Sequence, residues 1–465
     1  MIFFPNVMQA YLKAHANLVI AGLLSVCGYL YLCLHSQHYA ELSLIEMWSV
    51  CLICALLSFY AWWCYQPKKS SRQSNYHAFN APIDTPIKAI LCFAIVFRVI
   101  GVFTFPVLED DMYRFLWDGR MTVETGSPYS WVPADFFDDA TLAEPFETIL
   151  GLINHPEIAT VYGPTSQALF ALSYLIAPGE IWPLQAMLAL ADMIVIFVLL
   201  RLANARHLIL YAWSPLIIKE FAITAHPDIL GVCLLLVAFF AYTKHAWFYT
   251  AMFLALAAGV KVFAFILVPL LLRLHWQSWI VFLLTLVLIA LPFNGDISSV
   301  WIPDGLSAMA NNWLFNAPIY LLFQNIVSFS LLKVVLLGTF SLCAGAYCLY
   351  VYLQRQHLPL RADYLFGLFF ICIPVFNPWY LAWVLPFAVI YPSVWAWTAS
   401  VTLLLSYASG INLGFSPHYS ELQLYQQPLA VVAVQFSLIG IAAAVDMWRH
   451  HINSKNSEKL TSHQI

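Results

Sequence analysis

The sequence predicts an all-α polytopic membrane protein, a bundle of about 12 to 14 transmembrane helices. Hydrophobic residues make up 62% of the 465 residues and charged residues only 9%, whereas soluble domains carry roughly 25% charged residues. The mean hydropathy is +0.78, and apolar runs follow one another with short connections. Because helices satisfy their backbone hydrogen bonds internally in lipid, this pattern excludes a soluble protein. No basic patch indicates nucleic-acid binding.

The first three apolar runs, residues 17–34, 47–64 and 87–106, set the predicted orientation of the chain. The first run has no cleavage site of the kind that ends a signal peptide, so we expect it to remain as a span. After the second run, QPKKSSRQSNYH contains Lys68, Lys69 and Arg72 and no acidic residue. The positive-inside rule places this segment, and therefore the N-terminus, in the cytoplasm. The third run then crosses outward.

Residues 107–163 form the main predicted extracytoplasmic segment. They hold 11 of the 24 acidic residues and only two basic residues, Arg114 and Arg120. The segment is rich in aromatic residues, so we expect short helices at the membrane surface rather than a free linker. The first of these helices is predicted at residues 112–121, followed by a turn at TGSPY.

Later apolar runs complete the predicted bundle, at residues 165–177, 181–203, 208–218, 229–242, 248–272, 279–292, 331–353, 364–376, 380–390, 394–410 and 429–445. The basic residues between them cannot all lie inside if each run crosses once, so at least one run is broken or partly inserted. All ten cysteines lie in apolar runs, which favours membrane-core packing over a disulfide framework.

The predicted organisation has four parts. Residues 1–86 hold two spans and a cytoplasmic loop, and residues 87–293 form a central module that includes the acidic segment. Residues 294–447 form a C-terminal module whose first part, 294–318, is a second extracytoplasmic loop. Residues 448–465 are a basic tail, which the positive-inside rule places in the cytoplasm.

Three consecutive carboxylates, Glu109, Asp110 and Asp111, follow the outward run in PVLEDDMYRFLWDGRM. Acidic residues at a helix start are favoured by the helix dipole, which is the simplest explanation. At a membrane boundary, however, charges are costly and usually functional. We therefore interpret one carboxylate as a general base for an attacking hydroxyl, oriented by the other or by Arg114. A metal site is the alternative, since carboxylates hold hard cations.

Ionisable residues also lie within or beside later apolar runs, at Asp192, Lys219, Glu220, His226, Asp228 and Lys261. Lys219 and Glu220 are adjacent and can neutralise each other at a helix end. In AHPD, the dipole of a new helix favours Asp228, and His226 is able to donate to a phosphate. Lys261 lies in AAGVKVFAF, where either a lipid phosphate or snorkelling to water satisfies its charge.

Aromatic rings and amides occur together in TVYGPTSQ, NNWLFNAP and FNPWYLAW, at the expected outer ends of helices. Interfacial aromatic belts account for such residues in many membrane proteins. All three segments are assigned to the side of the acidic segment, however, and this favours a sugar site. The CH groups of a sugar stack on aromatic rings, while its hydroxyls bond to amides.

Six motifs, in this order, resemble the GT-C class of integral-membrane glycosyltransferases: EDDMYRFLWDGRM, GSPYSWVPAD, TVYGPTSQALFAL, AHPD, GVKVFAFILVPLLL and NPWYLAWVLPF. The resemblance covers residues 87–391 and is greatest to bacterial polyprenol-phosphate-mannose-dependent α-mannosyltransferases. It implies transfer of a hexose such as mannose from a polyprenyl-phosphate donor to a lipid or glycan acceptor, with inversion. The reaction is expected at the extracytoplasmic face of the bacterial cytoplasmic (inner) membrane, without a cofactor, a divalent cation being the less favoured alternative.

The resemblance also suggests roles for individual residues. The catalytic base maps onto Asp110 or Asp111. Matching the Asp-Glu pair of the family favours Asp110, whereas counting back from the arginine favours Asp111, and of the two Asp110 is preferred. The residues expected to bind the donor phosphate are Arg114, Arg120, Lys219, His226 and Lys261. Those expected to bind the sugar or acceptor are Tyr113, Trp117, Asp118, Tyr162, Asp228, Trp313, Asn316, Asn377, Trp379 and Tyr380.

Two other functions compete with a glycosyltransferase. A polytopic transporter or lipid flippase also buries a few ions among many spans, but it predicts two related halves, and the sequence shows no internal repeat. A non-catalytic scaffold predicts no concentration of tryptophan, asparagine and carboxylate on one side. The sequence therefore favours the enzyme.

Overall fold

The computed structural model describes residues 4–36, 42–65, 85–273, 275–293, 297–353, 360–413 and 426–462. Every regular element in these ranges is a helix, and the one isolated β-bridge there joins Phe315 to Val375. The predicted all-α fold is confirmed. Lys68, Lys69 and Arg72, on which the predicted orientation depends, lie outside the described residues.

The helices of the first half begin with three long ones that lead to the acidic segment. They are α1 (Phe4–His35), α2 (Leu44–Cys64), α3 (Thr85–Val102), α4 (Asp111–Thr125), a 3₁₀-helix (Pro133–Phe136), α5 (Phe146–Gly151), α6 (Pro164–Ile176), α7 (Trp182–Leu202), α8 (Ala205–Ala212), α9 (Pro215–Ile217) with the π-helix (Ile218–Ile223) that continues it, and α10 (Asp228–Thr243). Helices α2, α6, α7 and α10 begin and end within three residues of the predicted runs. The predicted helix of the acidic segment is α4.

The helices of the second half are shorter and more often broken. They are α11 (Trp247–Ala258), a 3₁₀-helix (Val262–Leu267), α12 (Val268–Leu272), α13 (Trp276–Ala290), α14 (Ile297–Trp301), α15 (Asp304–Asn312), α16 (Pro318–Phe323), α17 (Phe329–Leu353), α18 (Ala362–Cys372), a 3₁₀-helix (Pro378–Trp383), α19 (Leu385–Ile390), α20 (Val394–Thr402), a 3₁₀-helix (Leu403–Tyr407) and α21 (Leu429–Ser462). The run predicted to end at residue 445 continues into the predicted tail as part of α21.

Five helices within the described ranges are long and apolar enough to cross a membrane: parts of α1 and α21, and all of α2, α7 and α17. A sixth span is formed if Pro215–Ile223 and α10 are counted together, although they meet at an angle of 114°. Five shorter apolar helices accompany them. The chain is thus a multi-pass membrane protein. The count of about 12 to 14 spans stays a prediction.

The apolar run at 248–272 is interrupted between α11 and the next 3₁₀-helix, which confirms the prediction that at least one run is broken. The N–H of Thr165 donates to the carbonyl of Gly259 at 2.9 Å. A Cβ at Gly163 would lie 2.4 Å from that same carbonyl oxygen, so the two chains meet backbone to backbone. The chain then becomes extended at Lys261 (φ −154°, ψ 138°). The break exposes Lys261 to the site described below.

A second close approach fixes α4 against α6. A Cβ at Gly119 would lie 2.5 Å from the carbonyl oxygen of Phe170, so only glycine lets the two helices come this close. Phe115 and Phe170 stack one turn away, with ring centroids 5.0 Å apart. This contact sets the position of the N-terminus of α4, where the carboxylates lie.

Candidate active site

The three carboxylates occupy a sharp turn between α3 and α4. Leu108 adopts φ 57°, a backbone conformation that is strained for a branched residue. Asp110 precedes α4 and Asp111 is its first residue, a location that the helix dipole favours for acidic groups. Yet the Asp110 side chain makes no capping hydrogen bond. The turn therefore presents its carboxylates to other groups instead of to the helix end.

Asn154 binds both aspartates from the far end of the acidic segment. Its amide donates to Asp110 at 2.8 Å and to Asp111 at 3.4 Å. The Tyr162 hydroxyl donates to the other oxygen of Asp111 at 3.4 Å. Asp111 is thus oriented by two neutral donors.

Burial changes the acidity of the two aspartates. Together with a smaller effect of the Asp111 charge, burial raises the pKa of Asp110 to about 6. Burial also raises the pKa of Asp111, and the hydrogen bonds from Asn154 and Tyr162 oppose this shift. A general base is most effective when its pKa lies near the working pH, so both groups suit proton removal from a hydroxyl.

Two cavities meet at Asp111. The first has a volume of about 340 Å³ and the second a volume of about 460 Å³. Asp111 lines both, whereas Glu109 and Asp110 line only the second. The other side chains and backbone groups shared by the two cavities are those of Asn154, His155, Trp313, Val375, Asn377 and Trp379.

Basic residues line the first cavity. The Lys261 ammonium lies 3.0 Å from both carboxylate oxygens of Asp228 and 3.9 Å from the ring centroid of Tyr380. Arg114 donates to the Ile158 carbonyl at 2.6 Å and to Asp118 at 3.1 Å. Lys333 enters from α17 and lines the same cavity. This arrangement is able to hold an anion such as a phosphate.

Behind Asp111 lies a buried group of ionisable side chains. The His226 ring stacks on Trp379, with centroids 3.7 Å apart. Its Nδ1 is 4.0 Å from Asp111 and its Nε2 is 3.5 Å from Glu220, but neither nitrogen makes a hydrogen bond with a described residue. Glu220 accepts from Lys219 at 3.4 Å and belongs to a π-helix, a feature often found at functional sites.

The structure brings ten of the predicted site residues to the cavities: Asp110, Asp111, Arg114, Tyr162, Asp228, Lys261, Trp313, Asn377, Trp379 and Tyr380. They come from segments up to 270 residues apart, Asp110 to Tyr380. Residues that the sequence singled out thus lie around the same two cavities, and their roles stay predictions.

Seven predicted residues do not line either described cavity: Tyr113, Arg120, Trp117, Asp118, Lys219, His226 and Asn316. Arg120 donates to Glu124 at 2.8 Å and lies 5.4 Å from the Trp117 ring, away from both cavities. Trp117 belongs to an apolar cluster that holds α4 to α5 and against which Tyr113 packs.

Three of the other non-lining residues form hydrogen bonds within the protein. Asp118 accepts from Arg114, and Asn316 donates to the Phe376 carbonyl at 3.1 Å. Lys219 donates to the hydroxyl of Tyr407. Asp118 thus acts on the first cavity through Arg114, and Lys219 lies behind the wall of the second cavity, which Tyr407 lines.

Sequence reasoning missed Asn154 and Lys333. Asn154 lies in the acidic segment, in INHPE, where His155 adopts φ 48°. A lone asparagine between an isoleucine and a histidine gives no signal of its chemistry. Lys333 follows a polar turn near the start of α17, where a lysine usually reaches for the membrane interface.

The acidic turn also meets a geometric condition for holding a cation. Glu109, Asp110 and Asp111 offer ligand atoms that all lie within 4.8 Å of one another. Hard cations bind such oxygen ligands. Asn154 already donates to two of these carboxylates, however, and the expectation of a reaction without a metal stays a prediction.

Comparison with known proteins adds one match. Neither the curated proteins nor the solved structures gave a match to this chain. The model of the alpha-(1->6)-mannopyranosyltransferase N-terminal domain matches residues 14–277. These residues are more than half of the chain and include both aspartates, Asn154, Asp228 and Lys261. This multi-pass membrane protein therefore belongs to the alpha-(1->6)-mannopyranosyltransferase family.

Proposed function

We propose that the protein transfers mannose from a polyprenyl-phosphate donor to a hydroxyl of a lipid or glycan acceptor, with inversion, at the extracytoplasmic face of the bacterial inner membrane. The observation that carries this proposal is the place of Asp111, whose carboxylate lies where a cation-lined cavity meets a second cavity. The family match favours this enzyme over a transporter or flippase.

The first cavity suits the donor phosphate. Lys261, Arg114 and Lys333 all line it, and a phosphate leaving group needs cations rather than a strong acid because it is already a stable anion. Asp228 balances the charge of Lys261, and Asp118 balances that of Arg114. The positive electrostatic potential in the first cavity therefore stays moderate. A moderate field lets the phosphate bind without retaining the product.

The lipid part of the donor has an apolar path. Lys333 and Leu337 both line the first cavity and lie one turn apart on α17. Only 11% of the spanning part of α17 is buried, as expected for a helix that contacts lipid. A prenyl chain attached to a phosphate near Lys333 would pass along Leu337 and Phe369.

The proposed reaction has one displacement. Asp111 removes the proton of the acceptor hydroxyl, whose oxygen bonds to the anomeric carbon as the bond from that carbon to the phosphate oxygen breaks. The electron pair leaves on polyprenyl phosphate, next to Lys261 and Arg114. Attack opposite to the leaving group inverts the anomeric centre. Asp111 fits the role of base better than Asp110, which the sequence favoured, because only Asp111 lines both cavities.

Transfer from a radiolabelled polyprenyl-phosphate-mannose donor tests the base. We expect Asp111→Asn to lower turnover by about 10²- to 10⁴-fold, the usual contribution of a general base. Asp110→Asn should have a smaller effect. Asp138→Asn is the matched control, since Asp138 is an exposed aspartate of the same segment. Full turnover in both the Asp110 and Asp111 variants would overturn the assignment.

The side of the membrane is tested separately. A cysteine in place of Asp135, which is exposed in the acidic segment, should react with a membrane-impermeant thiol reagent in intact cells. The parent chain with its ten cysteines supplies the background. Protection of that cysteine until the cells are opened would invert the proposed orientation.

A further inference from the structure

The spanning part of α21, Leu429–Ile452, carries one amide side chain, that of Gln435. Only 22% of this spanning part is buried, as expected for a helix that contacts lipid. Gln435 is nevertheless 0% exposed. A buried amide at membrane depth is costly unless it is hydrogen-bonded within the protein. The partner of Gln435 therefore indicates its role.

The Gln435 amide binds the side chain of Asn316, which lies just before α16. The Gln435 Nε2 donates to the Asn316 Oδ1 at 2.7 Å, and the Asn316 Nδ2 donates in turn to the Phe376 carbonyl at 3.1 Å. Asn316 adopts φ 52°, a left-handed conformation that asparagine tolerates better than most residues. The side chain of Asn316 thus links α21 to the backbone at Phe376.

The backbone beside this link is part of the wall between the two cavities. Phe315 and Val375 pair in the isolated β-bridge, whose two N–H to carbonyl hydrogen bonds measure 3.0 and 2.9 Å. We call residues 313–316 and 374–377, which this bridge joins, the shared wall. Three residues of the shared wall line both cavities: Trp313, Val375 and Asn377. A shift of the shared wall therefore changes both binding surfaces.

Helix α21 itself stays outside the cavities, since none of the described residues that line them belongs to it. A second polar contact of α21 lies elsewhere, where Asp446 accepts from the N–H of Trp395 at 3.0 Å. Of these two contacts, only that of Gln435 leads to the shared wall. The ring of Phe436 supports it, with its centroid 6.4 Å from that of Phe376.

We propose that Gln435 is a positioning residue that acts through Asn316 to fix the shared wall, so that α21 controls the binding of both substrates without touching either. This inference rests on the proposed function, because the donor and the acceptor are the molecules that meet at the shared wall. It goes beyond that function by giving a role to a helix outside the residues that match the family, 14–277.

Methionine removes the amide of Gln435 with little change of shape, since it is unbranched and of similar length. In Gln435→Met, the buried Oδ1 of Asn316 loses its donor. We expect the KM for radiolabelled polyprenyl-phosphate-mannose and the KM for octyl α-D-mannopyranoside, the acceptor probe, each to rise about tenfold, the size of one buried hydrogen bond. The kcat should change little. Partial unfolding would instead lower the apparent kcat and leave both KM values unchanged.

Asp446→Leu is the matched control, because it removes the other polar contact of α21 and does not reach the shared wall. Both KM values should stay unchanged in this variant, and thermal unfolding shows whether its loss of stability is comparable. The proposal is overturned if Asp446→Leu raises both KM values as much as Gln435→Met does. It is also overturned if neither KM changes in Gln435→Met.

The link through Asn316 is tested by combining two variants. Glycine adopts φ 52° without strain, so Asn316→Gly removes the side-chain amide and retains the backbone conformation. This change should raise both KM values as Gln435→Met does, and the double variant should be no worse than Asn316→Gly alone. Effects that multiply in the double variant would show that Gln435 does not act through Asn316.

A measurement without sugar transfer separates this inference from the proposed function. In protein labelled with fluorotryptophan, the fluorine NMR signal of Trp313 is the one that Trp313→Phe lacks. This signal should shift in Gln435→Met and stay in place in Asp446→Leu. If it shifts while the native protein transfers no mannose, the proposed function is refuted and the positioning role of Gln435 stands. If it does not shift, the positioning role is refuted.

Discussion

The Lys261 ammonium contacts both carboxylate oxygens of Asp228, each at 3.0 Å, at the wall of the first cavity. Asp228 is buried and also accepts a hydrogen bond from the indole of Trp383 at 2.9 Å. The carboxylate is thus fully engaged and holds the lysine at a fixed point. The lysine nevertheless lines the cavity, where its charge faces any bound anion.

Removing one partner of this pair should destabilise the protein more than removing both. Asp228→Asn leaves a largely buried ammonium without its counter-charge and should lower the free energy of unfolding by about 3 kcal/mol. In the double variant with Lys261→Met no unpaired charge remains, so its loss should be smaller than the sum of the two single losses. Thermal unfolding in nanodiscs measures all three variants, and strictly additive losses would show that the two residues are not coupled.

The sequence predicted the parts of this site better than their pairing. Asp228 and Lys261 are separated by 33 residues and a helical turn-back, and Trp383 is 155 residues from Asp228. Apolar runs and a charged turn are local patterns, so they predicted α4 and the cation candidates. Which carboxylate meets which lysine depends on how the helices pack, and the sequence does not show that directly.

The positions of the breaks in the helices were also beyond local patterns. The run at 248–272 is apolar on both sides of Lys261, and its interruption depends on the contact between Gly163 and Gly259. Likewise, Asn154 became a site residue because its loop folds back onto the acidic turn. Both features arise from tertiary contacts between segments that are far apart in the chain.

The acid side of the pH–rate profile should report the carboxylates of the turn. A base acts only when it is ionised, and burial raises the pKa of Asp111, so kcat/KM should fall on the acid side at a higher pH than an exposed aspartate would give. Asn154→Leu removes the hydrogen bond that lowers both pKa values, and the acid limb should move to higher pH. Asp138→Asn should leave the profile unchanged, and an unshifted limb in Asn154→Leu would contradict the role of Asn154.

The free energy of unfolding should rise as the pH drops, which is opposite to the trend expected for kcat/KM. The pKa of Asp110 is higher in the folded protein, about 6, than its ordinary value of 3.8. The folded state therefore binds this proton more tightly than the unfolded state does. The resulting stabilisation is complete below the ordinary pKa and is lost as the pH rises through about 6. Asp110→Asn should weaken this dependence of the melting temperature on pH between 4 and 7, and an unchanged slope would count against the raised pKa.

The contact between α4 and α6 should control both stability and turnover. In Gly119→Ala the added Cβ would lie 2.5 Å from the backbone of Phe170, so the helices must separate, at a cost of about 1–3 kcal/mol. Separation moves the N-terminus of α4 and with it Asp111. Gly151→Ala is the matched control, since a Cβ there meets nothing within 4 Å. A melting temperature that falls equally in both variants would show that the loss does not arise from this contact.

His226 provides the sharpest test of function against stability. It is completely buried, stacks on Trp379, and makes no hydrogen bond with a described residue through either ring nitrogen. Phenylalanine keeps the stacking and removes two buried polar atoms, so His226→Phe should leave the free energy of unfolding unchanged or raise it by about 1 kcal/mol. Turnover should nevertheless fall, because the imidazole is the polar ring that lies between Asp111 and Glu220.

Thermal unfolding and sugar transfer are measured on the same preparation of the His226→Phe variant. Unchanged turnover would show that His226 has no part in the reaction, and a large loss of stability would show that its role is structural.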